Sequence, residues 1–285
     1  MCPGIDTPRD GVVTRAAVPA KYVHLDGHAV HYLHTGPTSL PDVPPALDRG
    51  ALLVLLHAAG SNAGTWRPQL QGLGARHSVV AADLPGHGRS DGVEGPASVE
   101  EGAAIVGRLL DAVTRRPCVL VGRGMGGAVA LTVAVRRPDR VRGLVLACTA
   151  ARFTRTDAAI ATARDVARGR LPQQFTTDTF SPATGMDVMR EAWMEQVKTD
   201  PRVRLTDLLA CRAFDGRPLL GQVAVPTLVV AGADDMVTPP AEAEELARGI
   251  AGARLEVIER AGHQVPLEQR EAFDRLVAAF AELLP

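Results

Sequence analysis

Lysine is almost missing from this chain: it occurs only at positions 21 and 198, and arginine carries the remaining fixed positive charge. The formal net charge over 285 residues is −1. That leaves no one-sided field for nucleic acid or an anionic membrane surface, and neither is expected as a partner. Aromatic residues make up only 4% of the chain, so a core must be built from Leu, Val, Ile and Ala. No apolar run approaches the roughly 20 residues that cross a bilayer. The opening stretch MCPGIDTPRDGVVTRAAVPA is broken by Pro, Gly and charge where a secretory leader has its apolar centre. The four cysteines (2, 118, 148 and 211) form no Cys-x-x-Cys pair. Reduced structural thiols in a soluble cytoplasmic protein are the expectation.

What is present is a rhythm of short apolar runs alternating with helical patterns. KYVHLDGHAVHYLHTG, 21–36, reads as a hairpin turning at Asp26-Gly27. Its four histidines (24, 28, 31 and 34) do not converge by strand alternation, so exposed or half-buried side chains are expected there rather than a metal site. Buried strands are expected at the start of LLVLLHAAGSNAGTW (52–66), up to Asp83, at 118–121 and at 141–148, with an amphipathic helix over Ser98–Thr114. Strands alternating with helices mean a parallel sheet. From 150 to 217 the rhythm stops and three helical patterns follow, at 156–168, 187–197 and 204–214. The sheet pattern then resumes with VAVPTLVVAG, ARLEVIE and a final helix over 266–284. The expected organisation is an arm over 1–20, an α/β core over 21–149 and 218–285, and a helical cap over 150–217.

The centre of the pattern is CVLVGRGMGGAVALTVAVRRP, 118–138: a buried strand, a glycine-crowded turn and a helix. Gly122, Gly124 and Gly127 satisfy the dinucleotide spacing GxGxxG. The motif lies far from the first strand–helix unit, however, and the next strand, GLVLACTA, offers no acidic residue to a ribose. No cofactor and no metal are therefore expected.

The same turn, Gly122-Arg123-Gly124-Met125-Gly126, resembles the nucleophile elbow of the α/β-hydrolase superfamily with Gly124 where that family has serine. Four further motifs carry the resemblance in the family's order. They are HAAGSNAGTW (57–66) at the oxyanion loop, DLPGHGRSDG (83–92) after the next strand, VPTLVVAGADDMVTP (225–239) at the acid and AGHQVPLEQ (261–269) at the histidine. The resemblance covers about 21–285. It implies an eight-stranded, mostly parallel sheet flanked by helices with an inserted cap, and is greatest toward cap-bearing C–C hydrolases and small esterases.

By that resemblance Asp235 is the acid and His263 the base. The backbone N–H groups of Ala59 and Met125 form the anion hole, and His57 and His87 are scaffold histidines. Asp234 is the rival to Asp235, and the Gly-x-x-Asp spacing from Gly232 favours Asp235. Candidate substrate contacts are Arg123, Ser61, Arg190 and Trp193. Arg123 either faces the cavity, to bind a carboxylate or enolate, or turns under the elbow and pairs with a carboxylate. Gln264 stands where the C–C hydrolases often have an aromatic.

Glycine at 124 forbids an acyl-enzyme there. The expected function is a non-covalent His–Asp general acid/base acting on a carbonyl-bearing small molecule, as a lyase, isomerase, cyclase or water-mediated hydrolase in secondary metabolism. A catalytically inactive ligand-binding homologue and an engineered Ser-to-Gly variant remain alternatives, and a homodimer is left open.

Overall fold

The computed structural model describes residues 18–37 and 39–284. Of the expected arm, residues 1–17 lie outside the described residues, and Ala20 already begins the first strand. Eight strands form one sheet: β1 (Ala20–Leu25), β2 (His28–His34), β3 (Leu52–Leu56), β4 (Ser78–Ala82), β5 (Cys118–Arg123), β6 (Val141–Ala147), β7 (Thr227–Gly232) and β8 (Arg254–Ile258). Their spatial order is β1-β2-β4-β3-β5-β6-β7-β8. β1 and β2 pair antiparallel around a turn in which Asp26 and Gly27 both have positive φ, as a two-residue hairpin requires. β2 is antiparallel to β4, and every other pairing is parallel.

The apolar strand runs are long because both faces are covered. Leu52, Val54, Leu56, Leu120 and Leu144 pack on one face with α2 (Val99–Val113) and α3 (Met125–Arg136), joined by α7 (Arg217–Leu220) and α8 (Pro240–Gly249). Leu53, Leu55, Val119, Val121 and Val145 face the other side, against α1 (Arg67–Leu73) and α10 (Arg270–Glu282). Trp66 and Phe273 are the largest fully buried side chains there and lie 6.2 Å apart between ring centroids.

Between β6 and β7 the described chain contains no strand. It holds α4 (Asp157–Ala167), α5 (Met186–Gln196) and α6 (Pro201–Ala213). Pro201 opens α6 at its first turn, where a missing N–H costs nothing. The expected single C-terminal helix is two helices, α9 (Val265–Glu268) and α10, because Gln269 leaves helical geometry at φ −127°. The hairpin histidines also divide differently from expectation. His24 and His28 are exposed, but His31 and His34 are buried because β2 is paired on both edges. Nδ1 of His31 lies 2.7 Å from Oδ2 of Asp83, whose carboxylate also accepts from the N–H groups of Ala63 and Arg89. Among the described residues there is no group of three or more His, Cys, Asp or Glu side chains placed to hold a metal, and no helix long and apolar enough to cross a membrane.

Candidate active site

β5 ends in a turn at Gly124, with φ 54° and ψ −122°, and α3 starts at the next residue. That backbone conformation is one that side-chain-bearing residues rarely adopt. The turn is held by the N–H of Gly124, shared between the carbonyls of Ala147 and Cys148 at 3.1 Å, and by Thr149 Oγ1 donating to the Gly124 carbonyl at 2.6 Å. Its neighbours must also be small. A Cβ on Gly126 would fall 2.3 Å from the Leu56 carbonyl oxygen, and one on Gly122 2.1 Å from that of Gly126.

The structure brings Asp235 and His263 together. Nδ1 of His263 is 3.0 Å from Oδ2 of Asp235. Thr238 Oγ1 donates to the same carboxylate oxygen at 2.9 Å, and Oδ1 accepts the N–H groups of Val237 and Thr238. Burial drives the Asp235 carboxyl upward, but the charge and hydrogen bond of His263 and the two N–H donors outweigh it and hold it below the ordinary range. Asp235 is therefore an ionised acceptor, which places the proton of a neutral His263 on Nδ1 and leaves the Nε2 lone pair facing away. Nε2 points at the elbow: a Cβ built on Gly124 would lie 3.4 Å from it. Asp234, the rival, is exposed and accepts instead from Ser181 Oγ at 2.5 Å.

The two proposed anion-hole residues, Ala59 and Met125, both line the cavity beside Gly124 and His263. Met125 is the first residue of α3, so its N–H has no partner within the helix. The Ala58–Ala59 peptide plane is fixed by its carbonyl, which accepts from His57 Nδ1 at 2.9 Å and from the Ser61 N–H at 3.1 Å. Because a peptide is planar, this also aims the Ala59 N–H. The following residues are held by the 150–217 insert. Asp207 accepts the Gly60 N–H at 2.7 Å, Thr199 Oγ1 donates to the Ser61 carbonyl at 3.2 Å, and Asn62 Nδ2 donates to the Glu195 carbonyl at 2.7 Å.

Behind this loop two buried histidines lie 4.5 Å apart between ring centroids. Nε2 of His57 accepts the Leu84 N–H, so its proton sits on Nδ1. Burial, reinforced by the charge of His87, pushes His57 down to about 4 and keeps it neutral. His87 has an acceptor at each nitrogen, Asp207 Oδ2 at 2.7 Å and the Pro85 carbonyl at 3.0 Å. Burial lowers its affinity for protons, but the adjacent Asp207 charge and hydrogen bond more than restore it, and it titrates above an ordinary histidine.

A cavity of about 420 Å³ lies between the insert and the C-terminal ends of the strands. Gly124, His263, Ala59, Met125, Ser61 and Arg123 all line it. Ser61 Oγ is 3.4 Å from Thr65 Oγ1 and is buried. Arg123 lies between its two readings, and its partners are not the expected carboxylate. It borders the cavity, yet its guanidinium donates to the Gln264 side-chain oxygen and to the His263 carbonyl, so it braces the histidine loop through neutral acceptors. Burial lowers its pKa from the usual arginine value.

Arg190 and Trp193 do not reach the cavity. Arg190 is exposed, and Trp193 packs edge-on against Phe175 at 5.9 Å. The cavity-facing residues of α5 are Ala192 and Gln196, one turn apart, so the expected helical register was displaced around the axis.

Sequence reasoning missed Thr238, Asp207, Arg204 and Glu268. Glu268 accepts the N–H groups of Gly262, Gln264 and Ser181 and the Thr184 hydroxyl, and so ties the histidine loop to the insert. The one available signal was its place five residues after His263, where α9 turns its carboxylate back onto the loop.

The alpha/beta hydrolase family model matches residues 53–279, and the chain belongs to that family. It is 32% identical over 241 residues to the pimeloyl-(acyl-carrier protein) methyl ester esterase of Neisseria meningitidis serogroup A, covering 80% of this chain and 76% of that one. It is 29% identical over 238 residues to 3-oxoadipate enol-lactonase 2 of Acinetobacter baylyi, covering 81% and 88%. Among solved structures, the enol-lactonase of Burkholderia xenovorans superposes with a TM-score of 0.76 at 29% identity, over 91% of this chain and 98% of the other. The eight-stranded sheet with flanking helices is the α/β-hydrolase fold.

Proposed function

We propose that this chain is a cofactor-independent enzyme in which His263, oriented by Asp235, moves protons on a carbonyl-bearing small molecule without a covalent intermediate. The observation that carries the reading is the surroundings of Nε2. Nδ1 is committed to Asp235, and Nε2 faces Gly124 across the space a side chain would occupy. The thiols nearby are not substitutes. Burial raises Cys148 and Cys211 well above the ordinary thiol range, which keeps both protonated and poorly nucleophilic.

The chemistry follows from these positions. Nε2 takes a proton from the carbon next to the substrate carbonyl. The C–H electron pair becomes the carbon–carbon double bond of an enolate, and the negative charge moves to oxygen. The Ala59 and Met125 N–H groups receive that oxygen, with the N-terminus of α3 adding a favourable dipole. Asp235 stabilises the imidazolium, which returns the proton at a second atom. Return at another carbon gives isomerisation. Collapse of the enolate expels a β-substituent, which takes the imidazolium proton, and gives a lyase. Attack of the enolate carbon on a second carbonyl forms a ring whose new alkoxide takes that proton. The insert over 150–217 serves as the cap that keeps bulk water from the enolate.

A second reading has its own support: the named activities of the relatives are ester and lactone hydrolysis. Water held by Nε2 in place of a side chain at 124 would then attack the carbonyl directly. Candidate ketones and lactones with wild type and His263→Ala test the shared claim. Turnover is expected to disappear in the variant while ligand binding persists, and an equal rate in both proteins overturns it. A purely ligand-binding homologue shows no turnover in either.

A further inference from the structure

The charges around the cavity do not balance. Among the described residues three guanidinium groups border it, on Arg123, Arg155 and Arg204, against one carboxylate, Asp178. Arg123 is occupied by Gln264 and the His263 carbonyl. Arg155 is exposed, with its charge in solvent. Arg204 differs from both. It is half-buried on the cavity side of α6, and its stem lies on the oxyanion loop: a Cβ placed on Gly60 would come 2.5 Å from Arg204 Cγ. Among the described residues no carboxylate lies within ion-pair distance of it, and Asp178 acts on it only as a more distant charge. Other insert arginines stand in solvent: Arg152, Arg164, Arg168 and Arg190 are exposed, where water screens a charge without a partner. Arg202, Arg212 and Arg170 each pair with an aspartate: Asp200, Asp157 and Asp165. Burial makes the charged form of Arg204 harder to hold, and among the described residues only the more distant Asp178 charge offsets that cost.

From these contacts we infer that Arg204 is the anchor for a carboxylate on the substrate, making the ligand class an oxo-acid with its reacting carbonyl at Ala59 and Met125 and its acid group toward α6. A guanidinium presents two parallel N–H donors that match a carboxylate, and a partly desolvated site strengthens the pair. The packing of the stem against Gly60 fixes where the acid sits relative to the anion hole. A neutral substrate filling the cavity would leave Arg204 half-buried and unpaired. The inference rests on the proposed function only for the position of the carbonyl.

The test uses the full chain and calorimetric binding of 5-oxohexanoate and 6-oxoheptanoate, each beside its methyl ester. In wild type the acids should bind roughly tenfold or more tightly than the esters, with the preference shrinking as salt is raised. Arg204→Met keeps the stem over Gly60 and should bring the acids down to the ester level while ester affinity stays within about twofold. Arg204→Lys, with the charge but not the fork, should fall between, and Arg155→Met should retain most of the preference. The inference is overturned if neither acid binds at millimolar concentration, if acids and esters bind wild type equally, or if the preference survives Arg204→Met in protein with an unchanged melting profile. Acid binding in His263→Ala separates the two claims. Retained binding without turnover supports both. An acid preference in a wild type that never transfers a proton removes the proposed reaction and leaves the anion subsite standing.

Discussion

Nε2 of His87 lies 2.7 Å from Oδ2 of Asp207, and both side chains are wholly shielded from solvent. His87 belongs to the loop after β4, and Asp207 to the inner face of α6. The same Asp207 oxygen accepts the Gly60 N–H, so one carboxylate joins the insert, the core and the oxyanion loop. The pair couples the covering helices to the loop that aims the Ala59 N–H. Removing one partner strands the other charge, and Asp207→Ala should destabilise the fold by about 3–5 kcal/mol in urea unfolding. Because His87 in the folded chain titrates above its unfolded value, its contribution is complete below the unfolded pKa of about 6.5 and is lost as pH rises through the raised value. Stability measured against pH should show that loss in wild type and not in His87→Gln.

Gly124→Ser tests the elbow. Its Cβ would sit 3.1 Å from Ala58 Cβ and 3.4 Å from His263 Nε2, which brings a hydroxyl within reach of the base. The positive φ should cost about 1–2 kcal/mol of stability. The variant should hydrolyse p-nitrophenyl esters on the order of 10³-fold or more faster than wild type, with a burst of released phenol. No gain over wild type would mean that the anion hole is not competent.

Glu268→Ala removes the acceptor for three N–H groups and one hydroxyl around the histidine loop. A loss of about 3 kcal/mol is expected, less than a sum of separate bonds because the donors share one carboxylate. Denaturant unfolding measures it.

Asp274, on α10, is pushed up to about 6 by burial, so its ionisation near neutral pH opposes folding. A carboxyl whose folded pKa is raised stabilises the fold below its unfolded value of about 3.9 and loses that stabilisation as pH rises toward 6. Asp274→Asn should therefore melt higher than wild type at pH 8, with the difference about halved by pH 5 and closed only below the unfolded value of about 3.9.

The fold was readable because its determinants are local. Apolar strands of five to seven residues, such as Leu52–Leu56 and Val141–Ala147, and the glycines at 122, 124 and 126 each fix a strand or turn from their own chemistry. That Asp235 and His263 come together was readable for the same reason, each sitting in a short loop after a strand. The insert was not. Arg190, Trp193, Ala192 and Gln196 all lie on α5, and only tertiary docking decides which pair faces inward. Asp207 and Glu268 were hidden more deeply. Their partners lie at residues 60 and 87 for one, and at 181, 184 and 262 for the other, and no periodicity connects those positions.

Proton exchange reports on the central claim without requiring the native product. Ketones that bind the protein would be incubated in deuterated buffer, and deuterium at the carbon beside the carbonyl followed by NMR. Wild type should introduce deuterium well above the buffer rate, and His263→Gln, which keeps the fold and the cavity, should fall to the buffer rate. Equal exchange in the two proteins, or no exchange above buffer for any ketone that binds, would contradict a proton-transferring His263.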